Sequence, residues 1–469
     1  MAERFHFIGI CGTAMATLAA MLQARGHVVQ GSDRGIYPPM SEFLAREGIR
    51  VFDGYRAGQI TPEIDVVVVG NAISRGNPEL EHVLDRKIRF VSLPEALRDR
   101  FLWQARPVVL AGTHGKTTTT ALTGWLLAAA GRDPSVLIGG IARNFESSYR
   151  LGAGRHFVIE GDEYDSAFFD KTAKFLKYLP DVAVIANLEY DHADIYPDMD
   201  ALRLAFTRFV NLVPRRGLLL LGADSPEAMA LADGAHSKVE TFGLSDGATW
   251  QAHSIEPAPD GTRFSVRRRG EPYGQIELPM FGEFNVRNAL AAIAIADAEG
   301  MSPQAAAEAM RQFKGVKRRL QLRGTAAGVA VYDDFAHHPT AIAETLRGVR
   351  SAFPDRRIWA VFEPRSATSC RRVFQEDFAK ALAAEPVHRV ILAAVFRSNL
   401  PDAERLSAER LVADLRAAHV RADHIPAVDD IVALIAREAE PGDLVVGMSN
   451  GGFEDFHNKL LTALGARAA

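Results

Sequence analysis

The sequence has 469 residues, which is too long for one hydrophobic core and predicts two to four domains. Hydrophobic residues make up 48% and charged residues 24% of the chain, a composition that indicates a globular protein and excludes a largely disordered one. The formal net charge of -4 offers no basic field to attract a phosphodiester backbone, so we expect no nucleic-acid partner.

The N-terminus, MAERFHFIGICGTAM, lacks the segments of a secretory signal, and no apolar run approaches the ~20 residues of a membrane span. These features predict a cytoplasmic protein without a membrane partner. The two cysteines, Cys11 and Cys370, are too few for a disulfide framework or a cysteine zinc site, and we expect both to be packing residues.

The N-terminal part of the chain alternates strand patterns (FHFIGI, HVVQGSD, DVVVVGNA) with helical ones, which predicts a mostly parallel sheet. The turn IGICGTAM follows the first strand as a phosphate-binding turn would. It matches the dinucleotide pattern G-x-G-x-x-G only at Gly9, because Cys11 and Ala14 replace the other glycines. Asp33 ends the next strand, where an acidic residue would meet a ribose. We therefore expect a nucleotide diphosphate other than NAD.

A second α/β unit opens at residue 106, where the strand RPVVLA leads into GTHGKTTTT and a helix. Gly112 and Gly115 would let backbone N–H groups approach a phosphate, Lys116 would reach the β and γ phosphates, and Thr117 would ligate Mg²⁺. Leu110 stands where the usual motif has its first glycine, so this loop is shorter. ATP is favoured over GTP because no NKxD-like guanine reader is present.

Acidic residues follow two later strands of this unit. Glu160 ends the strand of HFVIEGDEYD, and Asp191 and His192 follow DVAVIAN. Ligands of open α/β sheets bind beyond the carboxyl ends of the strands, so these side chains could hold Mg²⁺ opposite the phosphate loop. Acidic surface loops and structural histidines are the alternative interpretation.

Small β segments between about residues 240 and 282 precede the helix NVRNALAAIAIADAEG and the basic stretch KGVKRRLQLRG. The α/β alternation then resumes with GVAVYDDFA, RIWAVFEPR, HRVILAAVF and DLVVGMSNGG. We predict three consecutive α/β domains, namely a Rossmann-like nucleotide-binding domain at 1–105, a central P-loop ATPase-type domain at 106–319 and a Rossmann-like C-terminal domain at 320–469.

The motifs GICGTAM, GSD, GTHGKTTTT, EGDEYD, NLEYDH, GEFNVRNALAA, KRRLQLRG and YDDFAHHPT occur in the order found in the Mur ligase family. The chain resembles that family over essentially its whole length. The resemblance implies an ATP-dependent ligase of peptidoglycan metabolism that uses ATP and two Mg²⁺ ions. It also implies UDP-N-acetylmuramate as a substrate, and it leaves the oligomeric state open.

Two branches of the family are candidates. The stretches IYPPMS, GNAISRGNPE, EYDSAFFDK, FEPRS and MSNGGF resemble the recycling branch, which adds L-Ala-γ-D-Glu-meso-diaminopimelate to UDP-N-acetylmuramate, and we favour it. The alternative is the alanine-adding branch, which GTHGKTTTT and DDFAHHPT resemble. Phe335 stands where that branch usually has tyrosine.

The resemblance assigns roles to matching positions. Residues for ATP are Gly112, Thr113, His114, Gly115, Lys116, Thr117, Thr118, Asn285, Asn288, Arg319 and Asp334. Residues for the UDP substrate are Gly12, Thr13, Ala14, Met15, Ser32, Asp33 and Asn71. Metal ligands are Thr117, Glu160 and His192. Catalytic candidates are Lys116, His192, Arg319, His337 and His338.

Peptide binding is assigned to Arg365 in FEPRS and to Ser449 and Asn450 in MSNGGF. Each of these two segments could instead be only a strand-end turn. His337 or His338 could orient or accept the proton of the attacking amine, and a structural role in the turn before Pro339 is the alternative. Several family members complete the second metal site with a carbamylated lysine. This chain has no lysine between Lys177 and Lys238, so the completing ligand stays open.

Overall fold

The computed structural model describes residues 2–36, 40–191, 195–258, 260–396 and 400–468. The chain divides into two compact units. The first unit contains residues 1–188, 200–242 and 291–301, and the second contains residues 189–199, 243–290 and 302–469. The predicted domain boundaries at 105/106 and 319/320 stay predictions.

The first unit begins with a parallel sheet in the order β3-β2-β1-β4-β5. Its strands are β1 Arg4–Ile8, β2 Val28–Asp33, β3 Arg50–Asp53, β4 Val66–Val69 and β5 Phe90–Ser92. Its helices are α1 Thr13–Ala24, α2 Met40–Arg46, α3 Pro78–Arg86 and α4 Leu93–Leu97. The strand order reverses between β1 and β4, and GICGTAM lies at this crevice, the usual ligand position in such sheets.

The first unit also holds a mostly parallel sheet in the order β14-β13-β12-β6-β9-β7-β8. Its strands are β6 Arg106–Ala111, β7 Ser135–Ala142, β8 Ser147–Arg150, β9 His156–Gly161, β12 Val182–Ile185, β13 Leu218–Gly222 and β14 Lys238–Gly243. A separate hairpin is formed by β10 Asp165–Ala167 and β11 Asp170–Ala173. The helices are α5 Lys116–Ala129, α6 Met199–Val210 and α7 Pro226–Met229. The predicted strand, loop and helix around GTHGKT are confirmed as β6 and α5.

The second unit contains an antiparallel sheet of β15 Trp250–Ala258, β16 Gly261–Arg268 and β17 Glu271–Leu278. The long helix α8 Glu283–Ala298 starts in this unit and ends in the first, and α9 Pro303–Arg311 follows it. The small β segments expected near residues 240–282 are thus present.

The C-terminal sheet has the order β18-β19-β23-β20-β21-β22. Its strands are β18 Gln321–Ala326, β19 Val329–Asp334, β20 Ile358–Phe362, β21 Arg389–Leu392, β22 Ala422–His424 and β23 Leu444–Met448. Its helices are α10 Pro339–Ala352, α11 Gln375–Leu382, α12 Ala408–Ala417, α13 Val428–Glu438 and α14 Phe456–Ala468. Buried hydrophobic clusters cover both faces. The two edge strands were not predicted: β18 pairs antiparallel with β19, and β22 pairs parallel with β21.

The predicted α/β fold class is confirmed. Within the described residues, we find no helix with the length and apolar character that a membrane crossing requires.

Candidate functional site

The phosphate loop joins β6 to α5 at the carboxyl edge of the central sheet. Gly112 has φ +129, and a Cβ there would lie 3.0 Å from the carbonyl oxygen of Asn187, so this position requires glycine. Asn187 follows β12, the parallel neighbour of β6. Its carbonyl accepts from the Thr113 N–H at 3.1 Å and its Oδ1 from the His114 N–H at 2.8 Å. Asn187 therefore holds the loop, a role that the sequence does not assign to it.

Lys116 starts α5 directly after Gly115, which has φ +83. Its Nζ lies 2.8 Å from both carboxylate oxygens of Glu163 and donates to the Gly112 carbonyl at 2.7 Å. Burial lowers the pKa of Lys116, but the charges of Glu163 and Asp162 outweigh it and hold this pKa above its ordinary value. Lys116 is therefore a charged ammonium. Glu163 belongs to the acidic stretch EGDEYD, but no sequence pattern pairs it with Lys116.

Glu160 is the penultimate residue of β9, which lies next to β6 in the sheet, and its Oε2 accepts from the Thr117 hydroxyl at 3.2 Å. A hydroxyl and a carboxylate are donors suited to Mg²⁺. Thr118 is buried in the first turn of α5. His192, the other predicted metal ligand, lies outside the described residues, as do residues 37–39 of the IYPPMS stretch.

Asp33 ends β2, and its carboxylate organises the turn predicted to hold the UDP substrate. It accepts from the backbone N–H groups of Cys11 and Arg34, both at 2.7 Å, and from the Tyr55 hydroxyl at 3.1 Å. Burial and the neighbouring Asp33 charge raise the pKa of the Cys11 thiol to about 11. The contact of Tyr55 with Asp33 was not predicted.

The neighbouring Ser32 is fully buried and donates to the carboxylate of Glu79, which is also fully buried and lies 3.3 Å from His6 Nε2. Ser32 therefore supports the fold beneath the turn. Glu79 is the second residue of α3, and although it lies in the stretch GNAISRGNPE, no role was predicted for it.

The other predicted UDP residues lie at the same crevice. Gly12, Thr13 and Ala14 are exposed at the start of α1, whereas Met15 is buried. Asn71 follows β4, and its amide donates to Asp165 in the β10–β11 hairpin at 3.0 Å.

In the second unit, Asn285 and Asn288 lie in the first turns of α8, and both are buried. The Asn288 amide donates to Asn285 Oδ1 at 3.3 Å, and the Asn285 amide donates to the Phe281 carbonyl at 2.8 Å. The predicted pair thus shares one face of the helix.

Asp334 ends β19 and accepts from the Leu320 N–H at 2.6 Å and the Ala336 N–H at 2.8 Å. Burial raises its pKa, although the charge of Arg319 opposes the shift. The Arg319 guanidinium lies over the ring of Phe335, 4.9 Å from the centroid. Phe335 therefore packs against Arg319, the arginine predicted to contact phosphate.

The two candidate histidines have different surroundings. The Nδ1 atom of His337 is 2.9 Å from the Phe335 carbonyl. His338 precedes α10, is 5% exposed and places Nδ1 3.8 Å from the Glu189 carboxylate, which accepts from the Thr340 hydroxyl at 2.6 Å. His338, Glu189 and Thr340 line a cavity of about 570 Å³. His338 therefore faces a carboxylate beside a cavity.

The predicted peptide residues meet around Glu363, which follows β20. The Ser449 hydroxyl donates to one Glu363 oxygen, and Arg365 Nη1 lies 3.5 Å from the other. The Arg365 guanidinium also covers the Phe396 ring at 3.7 Å. Asn450 lies between Ser449 and Gly451, whose N–H donates to the Ser449 hydroxyl at 2.9 Å. The two strand-end segments thus form one surface.

Three family models match consecutive parts of the chain. They are described as Mur ligase family, catalytic domain (residues 4–101), Mur ligase middle domain (residues 110–296) and Mur ligase, glutamate ligase domain (residues 318–451).

This chain is also similar to other proteins over almost its whole length. The UDP-N-acetylmuramate–L-alanyl-γ-D-glutamyl-meso-2,6-diaminoheptandioate ligase of Escherichia coli K12 is 41% identical over 467 residues, 99% of each chain. The UDP-N-acetylmuramate–L-alanine ligase of Anaeromyxobacter dehalogenans 2CP-1 is 36% identical over 96% of this chain and 95% of its own. A crystal structure of a murein peptide ligase from Psychrobacter arcticus 273-4 matches with TM-score 0.73 and 37% identity over 99% of each chain.

Proposed function

Because this chain belongs to the Mur ligase family, we propose that it joins UDP-N-acetylmuramate to L-Ala-γ-D-Glu-meso-diaminopimelate at the expense of ATP. The observation that carries the proposal is that Lys116, which is paired with Glu163, and the contact between Thr117 and Glu160 lie at one sheet edge, in a chain 41% identical to such a ligase. ADP, phosphate and the UDP-linked muramoyl tripeptide are the expected products.

A carboxylate is a poor acyl donor and must be activated before an amine can attack it. In the proposed reaction, the lactyl carboxylate of UDP-N-acetylmuramate attacks the γ phosphate of ATP and forms an acyl phosphate. The peptide amine then attacks the carbonyl, and phosphate leaves from the tetrahedral intermediate. Positive groups and fixed geometry supply most of the catalysis, because several anions must be brought together.

The phosphate loop residues Gly112 to Thr118 bind the ATP phosphates in this proposal, with Lys116 on the β and γ phosphates. Thr117, Glu160 and His192 hold Mg²⁺, which neutralises the phosphate charge when bound. Two ions are proposed from the family resemblance. Asn285 and Asn288 contact the adenine side, Asp334 the ribose and Arg319 the γ phosphate.

The exposed start of α1, with Asp33 and Asn71 at the same crevice, binds the UDP moiety in this proposal. Arg365, Ser449 and Asn450 bind the peptide, with the Arg365 guanidinium available to pair with one of its carboxylates. His338 is the better candidate for orienting the amine, because it lies beside a cavity and a carboxylate. A cytoplasmic location fits these substrates.

The second candidate function is ligation of L-alanine. The 36% identity to an alanine ligase over almost the whole chain favours it, and the difference from 41% is small. The residues proposed for ATP and UDP would serve both reactions, so the two candidates differ in the amine alone.

The test is to incubate the protein with ATP, Mg²⁺ and UDP-N-acetylmuramate, plus the tripeptide or L-alanine, and to look for the UDP-linked product by mass. Product with the tripeptide is expected. Product with L-alanine alone would replace the proposal with the second candidate, and no amide product with either amine would exclude both.

A further inference from the structure

The turn after β23, residues Ser449 to Gly451, is held by hydrogen bonds from Arg318. One guanidinium nitrogen of Arg318, Nη2, donates to the carbonyl oxygens of both Ser449 and Gly451 at 2.6 Å. The Nε atom lies 3.5 Å from the buried carboxylate of Asp333. Two hydrogen bonds from one charged group span the turn, so its shape depends on Arg318.

Further hydrogen bonds join this turn to the segment that carries Arg319. The Phe335 N–H donates to the Arg318 carbonyl at 2.9 Å, and the Ser449 N–H donates to the Asp334 carbonyl at 3.0 Å. The Leu320 N–H donates to the Asp334 carboxylate at 2.6 Å. The segment 318–320, the end of β19 and the turn therefore form one hydrogen-bonded assembly.

The backbone on both sides of Arg319 is unusual. Arg318 has φ +61 and Leu320 has φ +46, a left-handed conformation that residues with a β carbon rarely adopt. Neither residue is glycine, so the surrounding bonds must hold this conformation. The backbone around Arg319 is therefore held by the same hydrogen-bonded assembly that contains the turn.

We propose that Arg318 is a positioning residue that couples the peptide-binding turn to Arg319. The Arg318 side chain donates hydrogen bonds to carbonyl groups of the protein, so it shapes the surface that binds the peptide. Arg365, Ser449 and Asn450 contact the peptide itself. This inference rests on the proposed function, because that function assigns peptide to the turn and γ phosphate to Arg319.

The experiment compares Arg318→Met and Arg318→Lys with Arg323→Met. Arg323 is a matched control because it also pairs with Asp333, at 3.0 Å, and reaches Asn458 instead of the turn. Arg318→Met is expected to raise the tripeptide KM by at least about tenfold and to lower kcat, with the UDP-N-acetylmuramate KM unchanged. Arg318→Lys should recover part of both losses, since an ammonium still reaches a carbonyl. Arg323→Met should change neither.

Hydrogen exchange provides a readout that needs no substrate. The backbone amides of Ser449 and Gly451, which are both hydrogen-bonded, should exchange faster in Arg318→Met than in the wild type, with no change in Arg323→Met. Unchanged tripeptide kinetics in Arg318→Met, while the wild type forms product, would overturn the inference and leave the proposed function standing. Absence of product in the wild type would overturn the proposed function. Unchanged amide exchange in Arg318→Met would then also overturn the role of Arg318 in holding the turn.

Discussion

The ammonium of Lys116 lies 2.8 Å from both carboxylate oxygens of Glu163, whose side chain is 2% exposed. A third contact, at 2.7 Å, returns to the Gly112 carbonyl of the same loop. Protein acceptors thus engage the ammonium in the structure. A phosphate bound at this loop would either displace these acceptors from the Lys116 ammonium or bind the ammonium together with them. Glu163 therefore helps to set the position at which Lys116 meets the nucleotide.

The first prediction concerns this pair. Lys116→Met should reduce product formation by at least about 100-fold, because a charge that stabilises the transferred phosphate is removed. It should also destabilise the fold by about 3–5 kcal/mol, since the buried carboxylate of Glu163 loses the ammonium group that faces it. Product assays and urea unfolding measure the two effects separately.

The matched variant for this test is Lys116→Met combined with Glu163→Gln. We expect the double variant to regain most of the lost stability without regaining activity, because the buried charge is gone and the lysine is still absent. Binding of UDP-N-acetylmuramate should persist in both variants. Retained turnover in Lys116→Met would show that the phosphate loop has been misassigned.

The second prediction concerns Asp33. Asp33→Asn should raise the KM for UDP-N-acetylmuramate by about 10- to 100-fold, because the carboxylate that orients the Cys11 N–H and the Tyr55 hydroxyl loses its charge. The KM for ATP should stay within about twofold. The control is Asp53→Asn, at the paired position of the neighbouring strand β3. An equal effect of the two substitutions would contradict a specific role for Asp33.

The third prediction concerns the metal. Glu160→Gln should shift the Mg²⁺ concentration needed for half-maximal activity upward by about tenfold or more, because a neutral amide is a weaker ligand than a carboxylate. Titration of product formation with MgCl₂ measures the shift. Asp200→Asn, which alters a surface carboxylate on α6, is the control. A lower maximal rate with an unchanged Mg²⁺ requirement would argue against metal binding by Glu160.

The fourth prediction concerns Glu299, which lies 2.9 Å from His156 Nε2 and 2.8 Å from Arg106 Nε. Burial alone would raise the pKa of Glu299, but these partners lower it from 4.5 to about 2. A depressed pKa gives stability that is present above 4.5 and is lost as the pH falls through about 2. Glu299→Gln should therefore cost on the order of 3 kcal/mol at neutral pH, at ~1.4 kcal/mol per pKa unit.

Urea unfolding of Glu299→Gln and wild type at pH 7 and pH 3 tests this sign. The difference in unfolding free energy should shrink by roughly half at pH 3, between the two pKa values. Glu63→Gln, at an exposed carboxylate, should change stability by no more than about 0.5 kcal/mol at either pH. A difference that grows as the pH falls would contradict the assigned shift.

Sequence patterns were sufficient to predict the α/β class, the phosphate loop and the positions of Glu160 and Asp33 near strand ends. These features depend on local patterns: apolar runs of strand length, glycines beside GKT and polar residues that end a strand. The edge strand β18 escaped prediction because QLRGTA has few apolar residues and is held by pairing with β19.

The contacts between distant side chains could be read from the three-dimensional structure but not from the sequence. Hydrogen bonds join residues that are 47, 73 and 133 positions apart, namely Lys116 with Glu163, His114 with Asn187 and Arg318 with Gly451. Such pairs depend on how strands are ordered and how side chains pack between them, and no local periodicity encodes that order. The structure likewise showed that Arg318, one of several basic residues in KGVKRRLQLRG, donates to the carbonyl groups of Ser449 and Gly451.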